Sequence, residues 1–106
     1  MWGEAQRRGF GLTDLTRWLG RGPADFSGLT DRGRLAVGAR ADLCAWDPDA
    51  AWPCDADAVS FRNKVSPWFG RTLRGRPART WLAGRPIWED GAPVGPARGR
   101  PLLEPR

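Results

Sequence analysis

Glycine and proline occupy 14 and 10 of the 106 positions, and that punctuation holds every helix and strand to a short run. Glycine frees the backbone for turns and caps, whereas proline fixes φ and removes a donor, so neither sustains a long regular element. The chain is at most one small domain. Seven Trp and four Phe supply apolar surface for a modest core, but a chain of this size buries a smaller fraction of its surface than a large one. So many Trp imply that some of them face a partner.

The first third reads as helices. Residues 2–10 form the last turns of one, with Trp2, Ala5 and Gln6 on one side and Gly9 and Gly11 at its end. A second takes Thr13 as N-cap and Asp14 near the positive end of its dipole. Leu15, Trp18 and Leu19 make its apolar face at helical spacing, and Gly20 and Gly22 stop it. Pro23 suits the first position of a third helix, Pro23–Ser27, which Gly28 breaks, with Phe26 and Leu29 buried. None is long enough to stand alone.

The pattern then turns to strands. Arg34–Val37 reads as one, Gly38–Arg40 as a turn, and Ala41–Trp46 as a second, buried on both faces and ended by Asp47-Pro48-Asp49. Trp52 opens a further edge strand, and residues 55–71 are irregular. Arg76–Leu82 alternates with period two, Ala83-Gly84 turns the chain into Pro86–Trp88, and Glu89-Asp90-Gly91 closes that segment. From Ala92 to Arg106 an extended or disordered tail is expected. The class is α+β, and so few strands leave a sheet with open edges.

Charge and motifs exclude more than they assign. The net charge is +5, with seven Arg against nine acids before residue 61 and ten basic residues against three acids after it. A basic half suits an anionic surface, but Arg abundant alongside Ala, Gly and Pro reads as compositional bias, so no nucleic-acid partner is expected. No run approaches a membrane span, and the charged start is not a targeting segment, which makes a cytoplasmic location the expectation. Cys44 and Cys54 are expected as buried thiols in a reducing compartment. The chain has no His, which removes the common metallohydrolase sites and the usual base of a Ser or Cys nucleophile. Asp47, Asp49, Asp55 and Asp57 fail as a calcium loop, because Trp52 and Ala58 stand where Gly and Glu are needed. They read as turn residues. Trp18, Trp46 and Trp81 fit core positions. The mixed loop FRNKVSPWFGR, which contains Asn63–Gly70, reads as a connector braced by Asn63 and Lys64 and plugged by Trp68 and Phe69, with a binding loop as the alternative.

Three segments together resemble a known family. GRLAVGARADLCAWDP resembles the G-x-I-x-x-G-x-D-A-D-L-v-v-w-D-P strand pair near the C-terminus of cyclic amidohydrolases, in the amidohydrolase superfamily. TDLTRWLGRGPADFSGLTDRGRLAVG is similar to the helix that leads into it, and FRNKVSPWFGRTLRGRPARTWLAGRPIWEDG to the RNK segment and hairpin of allantoinases. Arg40 stands where the family has Asp, and Gly22 where it has Asn.

The resemblance implies a C-terminal portion. Residues 1–30 would be barrel-flanking helices, residues 31–91 strands of the composite β-sandwich of a metal-dependent TIM-barrel hydrolase with the loop 55–71, and residues 92–106 a tail. Such enzymes hydrolyse cyclic amides, in allantoinases that of allantoin, with zinc or another divalent metal. They hold it with an HxH, a carboxylated Lys, two further His and an Asp. No position here matches those ligands, and Lys64 lies in the later RNK segment, so no catalytic, substrate-binding or metal residue is assigned and no cofactor is expected in this chain. The implied partner is the missing N-terminal barrel of the same enzyme or a separately encoded one, in a parent that is a homo-oligomer. The alternative is a standalone or complementing interaction module without activity.

Overall fold

The computed structural model describes residues 1–102. Helix α1 (Trp2–Arg7) ends in a Schellman arrangement. Gly9 adopts φ +81, its N–H donates to the Gln6 carbonyl at 3.0 Å, and the Phe10 N–H reaches the Ala5 carbonyl at 2.9 Å. Helix α2 (Leu12–Thr16) begins two residues earlier than its sequence suggests. Gly11, not Thr13, is the cap, and the Asp14 carboxylate accepts the Gly11 N–H at 3.0 Å.

Gly20 and Gly22 do not stop this helix. It passes through a π-turn, Arg17–Arg21, into α3 (Gly22–Phe26). Pro23 has no N–H for the helix ladder and its ring crowds the preceding turn, and a widened turn relieves both conflicts. A side chain at Gly22 would meet the Arg17 carbonyl oxygen at 3.0 Å, so the wide turn itself calls for glycine. Gly28, at φ +68, ends α3 in a second Schellman arrangement, with the Leu29 N–H on the Ala24 carbonyl at 2.8 Å. Ala24 is the buried residue of α3, Leu29 is half-buried, and Phe26 points outward at 95% exposure, against expectation.

Among the described residues the strands are β1 (Leu43–Cys54), β2 (Arg71–Leu82), β3 (Arg85–Glu89) and β4 (Ala92–Pro93), antiparallel in that order. Two expectations from sequence fail together. Arg34–Val37 is not a strand, and β1 pairs instead with β2, Leu43 opposite Trp81 and Cys54 opposite Arg71. Asp47-Pro48 does not end β1 either. Asp47 pairs with Arg76 and Ala51 with Arg74, so Pro48, Asp49 and Ala50 bulge out opposite Gly75 alone. The Asp47 carboxylate closes that bulge by accepting the Asp49 and Ala50 N–H groups at 2.8 and 3.3 Å. Trp52 therefore continues β1 and opens no new strand.

The expected turn at Ala83-Gly84 does make a hairpin, and Asp90-Gly91, expected only to close the segment, makes another. Ala83 and Gly84 have φ of +50 and +78, and Asp90 and Gly91 have +47 and +89, the double-positive geometry of type I′ turns. The second turn places Ala92–Pro93 against β3, so the tail starts with two paired residues. Residues 103–106 of the tail lie outside the described residues.

Burial is thin. The core is Trp2, Ala5 and Leu15 with Trp46 packed on it, plus the isolated buried residues Ala24 and Cys54. Leu43, Cys44 and Ala45, expected to be buried on both faces, are exposed. Cys54 is buried as expected, but Cys44 is not. Trp18, expected in the core, is exposed and rests edge-on against Phe10, 4.9 Å between ring centres.

Candidate functional site

A groove lies between the helical segment and the β1–β2 pair, lined among others by Trp2, Leu15, Leu19, Leu43, Trp52 and Leu73. Its floor is built by the β1 bulge. Because three residues of β1 loop out opposite Gly75, the strand twists sharply there and lays the Trp46 ring over Gly75. Trp2 reaches over from α1, edge-on to Trp46 with ring centres 5.6 Å apart. Its indole N–H donates to the Pro48 carbonyl of the bulge at 3.0 Å. The Trp52 indole N–H donates to the Gly75 carbonyl at 2.9 Å. Three indoles thus surround one glycine and join α1 to the sheet.

The groove volume, about 1470 Å³, exceeds the range of roughly 300–1,000 Å³ typical of small-molecule pockets. The total exposed surface is large for the chain's mass. It is 8427 Å², whereas a compact monomer of 11.7 kDa is expected to expose about 5900 Å².

Beside the groove, Asp42 organises a polar latch. Its carboxylate accepts the Ala83 N–H at 2.7 Å, Arg40 Nε at 3.1 Å and Arg32 Nη1 at 3.5 Å. Arg32 also forks onto Asp31 at 3.0 and 3.1 Å, and the Arg40 N–H donates to the Asp31 carbonyl at 2.6 Å. The start of β1 is thereby tied to the β2–β3 turn. Burial alone would raise the Asp42 pKa, but the Ala83 N–H and the Arg40 and Arg32 guanidiniums outweigh it and hold the carboxyl below its ordinary value. A depressed folded pKa stabilises the fold above the unfolded pKa and loses that contribution as pH falls through the folded one. Asp42→Asn is expected to cost about 1–2 kcal/mol at neutral pH and nearly nothing in strong acid. Denaturant melts of both proteins across the acid range check this, and an equal loss at every pH would refute the electrostatic account.

On the groove wall Glu4 is held by Arg7 and then by Arg8, at 2.5 and 2.7 Å, and its carboxyl is driven down to about 2. It remains ionised at any ordinary pH and is exposed, so it is no proton donor.

The residues that sequence singled out do not converge. Asp47 caps its own bulge, and Asp55 does the same for the next turn, accepting the Asp57 and Ala58 N–H groups at 3.0 and 2.8 Å. Lys64 Nζ donates to the Ala56 and Val59 carbonyls, both at 2.7 Å, and so braces the 55–70 loop. Phe61 stacks on Phe69 at 6.1 Å, while Trp68 remains exposed beneath the Arg71 guanidinium. Of Asn63, it is the carbonyl that takes part, accepting the Val65 N–H at 2.7 Å. Trp81 is half-buried, with Arg79 over its ring and paired to Glu89.

The divalent metal implied by the family resemblance does not fit the residues present. The chain has no His, Asp47 and Asp55 serve their own turns, and no three His, Cys, Asp or Glu converge among the described residues. What sequence reasoning missed is structural. Gly75 is a glycine inside a strand, a signal for a bulge or a close approach that was available in the sequence, and Asp42 lay inside the quoted motif without a role.

Comparison with known proteins places this geometry in context. The sequence profile described as "Amidohydrolase family" matches residues 5–88. An allantoinase of Streptomyces avermitilis is 38% identical over 91 residues, 86% of this chain and 20% of its own length. An allantoinase of Escherichia coli O139:H28 is 37% identical over 107 residues, 98% of this chain and 23% of its own length. Among solved structures, a D-hydantoinase superposes with a TM-score of 0.80 and 28% identity over 89% of this chain and 21% of that one. The L-hydantoinase (dihydropyrimidinase) of Arthrobacter aurescens superposes with a TM-score of 0.71 and 31% identity over 81% of this chain and 19% of that one. The chain spans about a fifth of the length of the curated relatives it matches.

Proposed function

The chain belongs to the amidohydrolase family, and on that footing we propose that it is the C-terminal segment of an allantoinase-like cyclic amidohydrolase, catalytically incomplete by itself. The observation that carries this is 37–38% identity to allantoinases along nearly the whole of the chain, against only 20–23% of theirs. In the assembled enzyme the reaction is hydrolysis of the ring amide of allantoin to allantoate, a step of purine breakdown in the cytoplasm. The zinc or other divalent metal that activates water in that chemistry belongs to residues outside this chain. The segment's own contribution is a packing surface: the groove and the β1 edge, which support the fold around the active site.

A second reading has the same piece completing a separately encoded barrel in trans. The apolar groove and the surplus of exposed surface favour an association of that kind. One assay tests both. The purified chain, supplied with zinc, cobalt or manganese, is expected to show no allantoin hydrolysis, and mixing it with a barrel lacking this segment is expected to restore turnover. Hydrolysis by the chain alone would overturn the proposal.

A further inference from the structure

The charged side chains that line the groove are not balanced against one another. Its carboxylates, of Glu4, Asp14 and Asp42, each have a partner within this chain. Glu4 is held by Arg7 and Arg8, Asp14 accepts the Gly11 N–H, and Asp42 is held by Arg32, Arg40 and the Ala83 N–H. The guanidiniums of the lining belong to Arg17, Arg21, Arg34, Arg71 and Arg74. Arg21 pairs with Asp25 at 3.4 Å, but the other four meet no carboxylate among the described residues. Arg34 donates to the Thr30 carbonyl at 2.5 Å, and Arg71 lies over the Trp68 ring, 5.4 Å from its centre. Neither contact neutralises a charge. While the groove is open, water solvates these cations. An occupant that covered them with apolar atoms alone would strip that water and return nothing for it, which offsets the gain from burying the leucines between them. Carboxylates on the occupant remove that penalty, and the long arginine stems let such pairs form at the groove's edge.

We propose that the groove takes an acidic, leucine-bearing polypeptide segment, whose apolar side chains pack on Leu19, Leu43 and Leu73 while its carboxylates pair with Arg17, Arg34, Arg71 and Arg74. The inference rests on the reading of the chain as one segment of a larger amidohydrolase, and it adds the chemistry of the surface that meets the groove. It also makes the association an electrostatically steered one, faster and tighter at low salt than at high salt.

The test titrates the full chain with fluorescent peptides of about 14 residues, which carry leucine at helical spacing and glutamate, glutamine or lysine at the remaining positions. The glutamate peptide is expected to bind at least about tenfold more tightly than the glutamine peptide, and that difference is expected to close in about 1 M salt. The lysine peptide is expected to bind most weakly. In the double variant Arg17→Glu, Arg71→Glu the preference for glutamate is expected to disappear and the lysine peptide to gain about tenfold. The double variant Arg98→Glu, Arg100→Glu changes the net charge equally, but both positions lie outside the groove lining, so it is expected to keep the parent's order. All four side chains are exposed, and thermal melts of both variants are expected to match the parent. Equal binding of the glutamate and glutamine peptides, binding of no peptide, or a loss of preference as large in the tail variant as in the groove variant would overturn the proposal. The segment reading would survive each of those results, because allantoin turnover on mixing with a truncated barrel tests it separately.

Discussion

Gly75→Ala is expected to remove most of the protein's stability at room temperature. The glycine sits at φ +86, which L-residues rarely adopt, and an added Cβ would lie 2.2 Å from Trp46 Cζ3 and 3.1 Å from Trp2 Cδ1. Backbone strain and overpacking together are worth about 3–5 kcal/mol here. A chain of this length, with so small a core, has about 5 kcal/mol of stability to lose. The indole of Trp46 cannot step aside, because Trp2 closes one side and the three-residue bulge fixes the strand beneath it. A thermal melt followed by Trp fluorescence is expected to drop by at least about 15 °C. A drop of only a degree or two would mean that the cage around Gly75 is loose and that the packing described for it is wrong.

Trp2→Ala is expected to cost about 3–5 kcal/mol, the usual loss for a large buried aromatic. Trp2 is the main tie between α1 and the sheet, and with Ala5 and Leu15 it makes up the core cluster. Its removal frees α1, strips one face of Trp46 and leaves the Pro48 carbonyl without its indole donor. Trp2→Phe separates these effects, since it keeps most of the apolar contact and removes the hydrogen bond, for a loss of about 1 kcal/mol. Because Gly75 and Trp2 meet at the same indole, their effects are not expected to add. In the Gly75→Ala background Trp2→Ala should cost less than it does alone. Additivity in denaturant melts of the four proteins of that cycle would show that the two sites do not share a contact.

Local rules carried the parts of this fold that need only neighbours in the chain. Gly9 and Gly28 end helices because each takes a positive φ that two backbone N–H groups can follow. Ala83-Gly84 and Asp90-Gly91 make type I′ turns because that twist matches the flanking strands. The turn-forming role of Asp47 and Asp55 was legible for the same reason. Gly20 and Gly22 misled, because a glycine that relieves crowding in a π-turn looks in sequence like one that ends a helix. Phe26 misled because helical spacing marks an apolar face without saying what lies opposite it, and nothing among the described residues covers it.

Pairing is where sequence stopped. Arg34–Val37 and Ala41–Trp46 both carry strand patterns next to a turn signal, and the local choice joins them as a hairpin. The structure pairs β1 with β2, about thirty residues away, and carries it through Pro48 by way of a bulge. Such contacts depend on which surfaces meet in three dimensions, and no short window contains them. The candidate site divides the same way. The absence of His, which rules out sites built on histidine, and the three segments that mark which enzymes the chain resembles were both legible in the sequence alone. Only the tertiary structure decided that Trp2, Trp46 and Trp52 close around Gly75, that Asp42 latches the sheet, and that a groove lined by Leu19, Leu43 and Leu73 stays open. Glycine, proline and apolar spacing act on the backbone within a few residues, whereas burial depends on the whole set of surfaces that come together.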